Sequence, residues 1–259
     1  MENYSLNRRR HLGEYAKERG IVCGGKYKYN DREYAHILRV EDGDTVGAVC
    51  RDNLIAGVES DLLPKLHRDA HHLNSSQVLC YNYFRPLITA ECRPMPALIE
   101  LLHSVGIEVS TEARCAFEYK DEMGDNTQFD FYVEDAQTRV YFEIKYTESS
   151  FGGAVKKESL RNKFDTTYCE VLSRVQCLTA KPTFDEYTAD YQLYRYAIRL
   201  TDKRKYVILL YPRDNKTVRR GAESFVEQRI TEEYRDNMVR LHWEDIVAPD
   251  SELYTKYFR

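Results

Sequence analysis

Hydrophobic and polar positions alternate most regularly between Gln128 and Tyr146. Two runs, Gln128 to Val133 and Arg139 to Tyr146, flank a polar stretch, and the period of two on both sides predicts a β-hairpin. With Asp130 opposite Glu143, the side chains of Phe129, Phe131, Val133, Val140, Phe142 and Ile144 share one face, because directly opposed residues lie on the same side of a sheet. Asp130, Glu143 and Lys145 then point to the other side. A one-residue slip would scatter the apolar set over both faces, so burial selects this register.

The same reading extends outwards. In Arg114 to Lys120, Cys115, Phe117 and Tyr119 alternate with Ala116 and Glu118, which predicts a strand, and Asp121 to Asn126 supplies a turn centred on Gly124. That hairpin places Phe117 beside Phe131 and Glu118 beside Asp130. Lys205 to Pro212 is a continuous apolar run and reads as a buried central strand. Asn74-Ser75-Ser76-Gln77 offers capping side chains to a helix through Phe84, which Pro86 should end, and a second helix runs from Pro96 to Gly106. Ala189, Leu193, Ala197 and Leu200 form a core-facing stripe on a helix from Glu186 to Leu200. A helix around Ser224 to Tyr234, preceded by Arg219-Arg220, and a last strand between Arg240 and Val247 complete the chain. Residues 1–73 are polar without a clear period and read as an N-terminal extension of unknown role, ahead of a domain over residues 74–259.

Composition narrows the class of protein. The 259 residues can bury a sizeable core, and 38 basic against 42 acidic side chains give a formal net charge of −4, unlike a protein that holds nucleic acid by bulk charge. Any such contact must be local, and the stretch from Phe151 to Lys181 is locally basic. The seven cysteines are odd in number and form no CxxC, which suggests neither a disulfide framework nor a metal cluster, and places the chain in a reducing cytoplasm. No apolar run approaches the roughly 20 residues of a membrane span, and the start lacks a signal-peptide core.

Carboxylates converging with a lysine suit phosphodiester hydrolysis, in which a divalent cation takes carboxylate oxygens and the lysine positions or helps deprotonate the attacking water. Three carboxylates on one face would repel one another unless a cation neutralised them. A donor set without histidine favours Mg²⁺ or Mn²⁺ over zinc. Other groups have plainer readings. Arg8-Arg9-Arg10-His11 could touch phosphate but reads as a solvated tail, and His67 and His71, without a third ligand, read as surface histidines.

Asp130 followed by Phe142-Glu143-Ile144-Lys145 resembles the D…ExK signature of the PD-(D/E)xK, or restriction-endonuclease-like, nuclease superfamily. The string from Gly124 to Asp130, with Lys145-Tyr146-Thr147-Glu148, is similar to a sparsely described bacterial branch of it, over roughly residues 74 to 212. The resemblance implies an α/β domain whose central mixed β-sheet is flanked by helices in the order α-β-β-β-α-β. It also implies a Mg²⁺-dependent endonuclease acting on DNA. Asp130, Glu143 and the Ile144 carbonyl would bind the metal, Lys145 would orient the water, and Glu118 would assist. Many such enzymes carry an extra acidic residue on the helix before the first core strand, where Glu100 competes with Glu118; the strand alternation favours Glu118. Gln192 and Tyr196 resemble the QxxxY motif of RecB-like nucleases, which contacts substrate, and Ser76 and Gln77 fall where the branch opens near the site. Two alternatives remain: an inactive nucleic-acid-binding or interaction module with the same fold, and a RecB-like exonuclease or repair nuclease. A homodimer stays open, as do the DNA sequence recognised and the biological role.

Overall fold

The computed structural model describes residues 3–27, 31–41, 50–55, 66–121, 123 and 125–259. Helix α1 (Tyr4–Glu18) leads into a small antiparallel hairpin of β1 (Cys23–Lys26) and β2 (Glu33–Leu38). Helices α2 (Ser76–Phe84) and α3 (Pro96–Ser104) precede three antiparallel strands, β3 (Arg114–Lys120), β4 (Gln128–Glu134) and β5 (Arg139–Ile144). A helical stretch of α4 (Glu158–Lys163), α5 (Cys169–Arg174), α6 (Phe184–Ala189) and α7 (Tyr191–Ala197) returns the chain to β6 (Lys205–Tyr211). Helix α8 (Lys216–Arg229) crosses to β7 (Met238–His242), followed by α9 (Trp243–Ile246) and α10 (Glu252–Tyr257).

The large sheet has five strands in the order β3-β4-β5-β6-β7. β3, β4 and β5 are antiparallel neighbours, while β5, β6 and β7 run parallel. This is the expected α/β architecture, a mixed central sheet flanked by helices, with β7 added at the edge. The β4/β5 register is the one that burial selects, with Phe131 opposite Phe142 and Val133 opposite Val140. Continued one step, it sets Asp130 opposite Glu143.

Each face of the sheet has its own core. On one, Phe131, Val133, Val140, Phe142, Ile144, Ile208 and Leu210 pack with α2, α3 and the C-terminal helices. Phe84 stacks on Phe131 at 4.3 Å and meets Phe142 edge-on at 5.0 Å. Leu12, Ala16 and Leu38, from before residue 74, belong to this same core. On the other, Tyr132, Tyr141, Val207, Leu209 and Tyr211 pack against the helices between β5 and β6 and against α8. Ser75 caps α2, its Oγ accepting from the Val78 N–H at 3.3 Å. Among the described residues no helix is long and apolar enough to cross a membrane.

The structure departs from the sequence pattern in several places. Phe129 does not share a face with Phe131; it turns to the second core. The facing strand β3 changes sides at the same point. Glu118 has φ 53°, a left-handed conformation that breaks the alternation, so that Phe117 packs in the first core and Tyr119 against the second. The hairpin register is still the expected one, with Phe117 opposite Phe131 and Tyr119 opposite Phe129. Gly124, the expected centre of that turn, lies outside the described residues.

The helix expected from Glu186 to Leu200 is two helices that break at Asp190 (φ −113°, ψ 41°). A continuous helix would pair the Gln192 N–H with the Thr188 carbonyl. Instead the Ala154 N–H takes that carbonyl at 2.8 Å, and the Gln192 N–H goes to the Gly152 carbonyl at 3.3 Å. Arg219 and Arg220 lie within α8 rather than before it, because Asn215 caps the helix several residues earlier. The last strand ends at His242, and Trp243 opens α9.

Candidate active site

Glu143 and Lys145 stand at the C-terminal end of β5, two residues apart and therefore on the same side of the chain. Both are nearly enclosed, with 5% and 8% of their surfaces exposed. Lys145 Nζ donates to Glu143 Oε1 at 2.7 Å and to Gln192 Oε1 on α7 at 3.1 Å. One turn further along α7, burial pushes the Tyr196 hydroxyl well above its ordinary range, and the charge of the nearby Glu143 carboxylate adds to this. Tyr196 also lies 5.2 Å from Phe129, so the turn of Phe129 into the second core braces the helix that carries it.

The end of β5 is fixed by neighbours. The Lys145 N–H donates to Leu210 O at 2.9 Å. Pro212 has no N–H to return to the Lys145 carbonyl, and the Trp243 indole donates there instead, at 3.3 Å. Asn215 Nδ2 spans the Tyr146 and Glu148 carbonyls at 3.2 and 2.9 Å. Glu148 folds back to accept the Tyr146 N–H at 2.6 Å.

Asp130 enters from β4, and its Oδ2 accepts the Ile144 N–H at 2.6 Å. On β3, Glu118 Oε1 accepts from Gln77 Nε2 at 2.7 Å and Glu118 Oε2 from Gln128 Nε2. The Gln77 amide is oriented by the His67 N–H, which donates to its Oε1 at 2.7 Å. His67 Nε2 lies 3.8 Å from Glu118 Oε2. Gln77 and Asp130 line one hollow together with Ser76, and Lys145 and Gln192 line the next; Glu118 is hydrogen-bonded to Gln77 and Glu143 to Lys145, and Tyr196 is buried on α7. Glu100 is exposed on α3, and the acidic neighbours whose charge Asp130 feels are Glu143 and Glu118.

Burial pushes the Asp130 carboxyl well above the usual carboxylate range, and the Glu143 charge adds to this; Lys145 and the Ile144 N–H oppose it. Burial also raises Glu118, against the pull of Gln77 and His67. For Lys145, burial favours the neutral amine, but the carboxylates of Glu143, Glu148 and Asp130 outweigh it and hold the ammonium charged. A lysine held in this way keeps its proton and offers hydrogen-bond donors, not a base.

Among the described residues no group of three or more His, Cys, Asp or Glu side chains is placed to hold a metal ion. Both Glu118 oxygens are engaged by glutamine amides, so Glu118 does not complete such a group. Two carboxylates and a main-chain carbonyl remain. The Ile144 C=O leaves the strand on the same edge as its N–H, the edge that Asp130 occupies. Asp130, Glu143 and this carbonyl are all hard oxygen donors, a set that suits Mg²⁺ or Mn²⁺.

One part of the site's support was not legible beforehand. Arg199, buried at the end of α7, donates to Asp121 Oδ2 and Oδ1 at 2.6 and 3.0 Å and to Asp125 Oδ2 and Oδ1 at 2.9 and 2.6 Å. Arg195 Nη2 donates to the Asp125 carbonyl at 2.9 Å. These two arginines tie the Gln192–Tyr196 helix to the chain that enters β4. The Asp125-Asn126-Thr127 triplet carries the signature of the local turn, in which Asp125 Oδ1 accepts the Thr127 N–H at 3.0 Å. Nothing local points to an arginine 74 residues away.

Comparison with curated proteins and with solved structures returns no match. The family described as Restriction Endonuclease associating with ARP matches residues 9–259, and this chain, with its mixed sheet and its acidic cleft, belongs to that restriction-endonuclease-like family.

Proposed function

We propose that the protein is a metal-dependent nuclease that hydrolyses phosphodiester bonds in DNA, acting as an endonuclease. The observation that carries this reading is the convergence of Asp130, Glu143 and Lys145 at the end of β5, with Gln192 fastened to Lys145 and Tyr196 near Glu143 on α7. Asp130, Glu143 and the Ile144 carbonyl would hold Mg²⁺ or Mn²⁺, which when bound supplies charge stabilisation to the phosphate and acidifies a water. Lys145 orients the attacking water and counters charge that develops on the phosphate oxygens. Glu143 keeps Lys145 charged and in place, Tyr196 fixes the Glu143 carboxylate, and Gln192 steers the ammonium. Glu118, tied to Gln77, adds negative charge beside Asp130 and so strengthens its demand for a cation.

Supercoiled plasmid incubated with and without Mg²⁺ or Mn²⁺ tests the reading. Metal-dependent nicking or linearisation by the parent, lost in Asp130→Asn and in Lys145→Ala, is the expected result. Undiminished cleavage by Lys145→Ala refutes the assigned roles. The contact of Gln192 with Lys145 also suits a RecB-like exonuclease, for which cleavage would be confined to linear DNA.

A further inference from the structure

The basic run Arg8-Arg9-Arg10-His11 lies on α1, and the fold carries that helix to the mouth of the cleft. Two adjoining hollows open there, of about 390 and 630 Å³. One contains Gln77 and Asp130 and the other Lys145 and Gln192, and Arg9 lines both. The helix is firmly seated. His11 Nε2 lies 3.0 Å from the Thr255 carbonyl, Arg8 Nη1 donates to Arg259 O at 3.1 Å, and the Tyr15 hydroxyl donates to Glu252 at 3.0 Å. All three partners lie on α10 or just after it. The Tyr257 carbonyl of α10 in turn accepts the hydroxyl of Tyr146, the residue after Lys145, at 2.7 Å. The position of α1 is therefore coupled to the end of β5.

Arg9 differs from its neighbours in the run. Arg8 is used as an anchor, and Arg10 is exposed. Arg9 is half-buried, and among the described residues its Nε, shielded from solvent, has no hydrogen-bond partner and its guanidinium forms no ion pair. Its guanidinium lies 6.0 Å from the Tyr27 ring. Asp69 and Glu148 line the same hollows yet do not take it. A shielded guanidinium donor without an acceptor is costly to leave unpaired, and its planar fork matches a phosphate.

We infer that Arg9 is a substrate-binding residue of this cleft, its guanidinium taking a backbone phosphate of the DNA strand next to the bond to be cut. The inference rests on the nuclease reading above and extends it, because it gives the segment before residue 74 a part in holding substrate. It also places one positive group where an acidic protein must supply local charge to draw in a polyanion.

Binding of a fluorescein-labelled DNA duplex, and of its separate strand, is measured by anisotropy over a range of salt concentrations. The parent for this comparison is Asp130→Asn, in which hydrolysis does not interfere. Arg9→Ala in that background should weaken binding about tenfold at low salt and reduce the slope of log affinity against log salt by about one. Arg9→Lys should restore the slope but only part of the affinity, since an ammonium cannot engage phosphate in two-armed fashion. Lys17→Ala, at the exposed far end of α1, controls for general charge loss, and thermal melting of each variant reports whether the helix stays seated. Equal affinity and slope in Arg9→Ala and Lys17→Ala, with a parent that binds DNA, overturns the role of Arg9 and leaves the nuclease reading intact. A parent that binds neither DNA form overturns both.

Discussion

Glu118 faces Asp130 across the β3/β4 hairpin, and at this pair both strands exchange the core they pack against. Phe117 and Phe131 lie on one side of it, Tyr119 and Phe129 on the other. The exchange depends on a glutamate with φ 53°, a conformation that costs a residue with a Cβ roughly 1–2 kcal/mol. Such strain persists only where neighbours impose it, and here the Gln77 and Gln128 amides hold the carboxylate against Asp130.

Glycine accepts a left-handed backbone freely, so Glu118→Gly should melt at or above the temperature of the parent, despite the lost hydrogen bonds, while plasmid cleavage falls by at least about tenfold. Parallel melting and cleavage assays check this. A fall of several degrees in melting temperature would mean that the lost hydrogen bonds outweigh any strain the glycine relieves.

Lys145 is held by two acceptors, and only Glu143 supplies charge. Removing the Tyr196 hydroxyl should loosen Glu143 without changing the charge of the cleft. Tyr196→Phe is therefore expected to keep a measurable rate, reduced about tenfold, whereas Lys145→Ala should lose at least about a hundredfold. Single-turnover cleavage rates separate the two. An unchanged rate in Tyr196→Phe would mean that the hydroxyl only fills space against Phe129.

The hairpin and its register were legible because Phe131, Val133, Val140, Phe142 and Ile144 can be buried together in only one pairing, and that pairing forces Asp130 and Glu143 to meet. The apolar run before Pro212 gave β6 for a similar reason. What the pattern could not convey was non-local. The left-handed Glu118 is held by amides from α2 and β4, and level with it Phe129 leaves the set that alternation assigned to it. The break at Asp190 arises because a loop around Gly152 takes a helical hydrogen bond, and apolar spacing along α6 and α7 continues through it unchanged. Gly152, at φ 90°, also lies where a Cβ would come within 3.0 Å of the Gln192 side chain, so the glycine leaves room for the amide that reaches Lys145. Arg9 was legible as a charge but not as a neighbour of Asp130, since that proximity depends on the packing of α1 against α10.

The Arg199 clamp links the site to acid stability. Burial would raise the Asp125 carboxyl, but Arg199 and the Thr127 side chain and N–H more than offset this and hold it well below the usual range. A carboxylate with a depressed folded pKa contributes stability above its ordinary value of about 3.9, and that contribution is lost as pH falls through the folded value. Asp125→Asn should therefore cost about 3–5 kcal/mol near neutral pH, since it leaves buried Arg199 with only Asp121. The difference from the parent should shrink as pH drops below about 4. Denaturant unfolding between pH 6 and 2 measures it, and a difference that stays constant would mean that the ion pair is not the source.

Lys256 gives a prediction on the alkaline side. It is buried on α10 and donates to Asn53 Oδ1 at 2.8 Å and to the Asn53 carbonyl, with Tyr257 and Tyr15 rings 5.0 and 6.0 Å away, and among the described residues no carboxylate forms an ion pair with it. Burial lowers its pKa to about 7, and the more distant Glu252 only partly resists this. Between that value and the ordinary value of about 10.4, the unfolded chain binds the proton more tightly than the folded one. This group's contribution to stability should therefore rise with pH across the window, by up to about 1.4 kcal/mol per unit. Buried thiols such as Cys50 and Cys115, both raised to about 12 by burial, drive the total in the other direction. The quantity to measure is thus the difference in unfolding free energy between the parent and Lys256→Met from pH 7 to 10. It should move steadily in favour of the parent. Two parallel curves would mean that Lys256 keeps an ordinary pKa, with water reaching it at the base of α10.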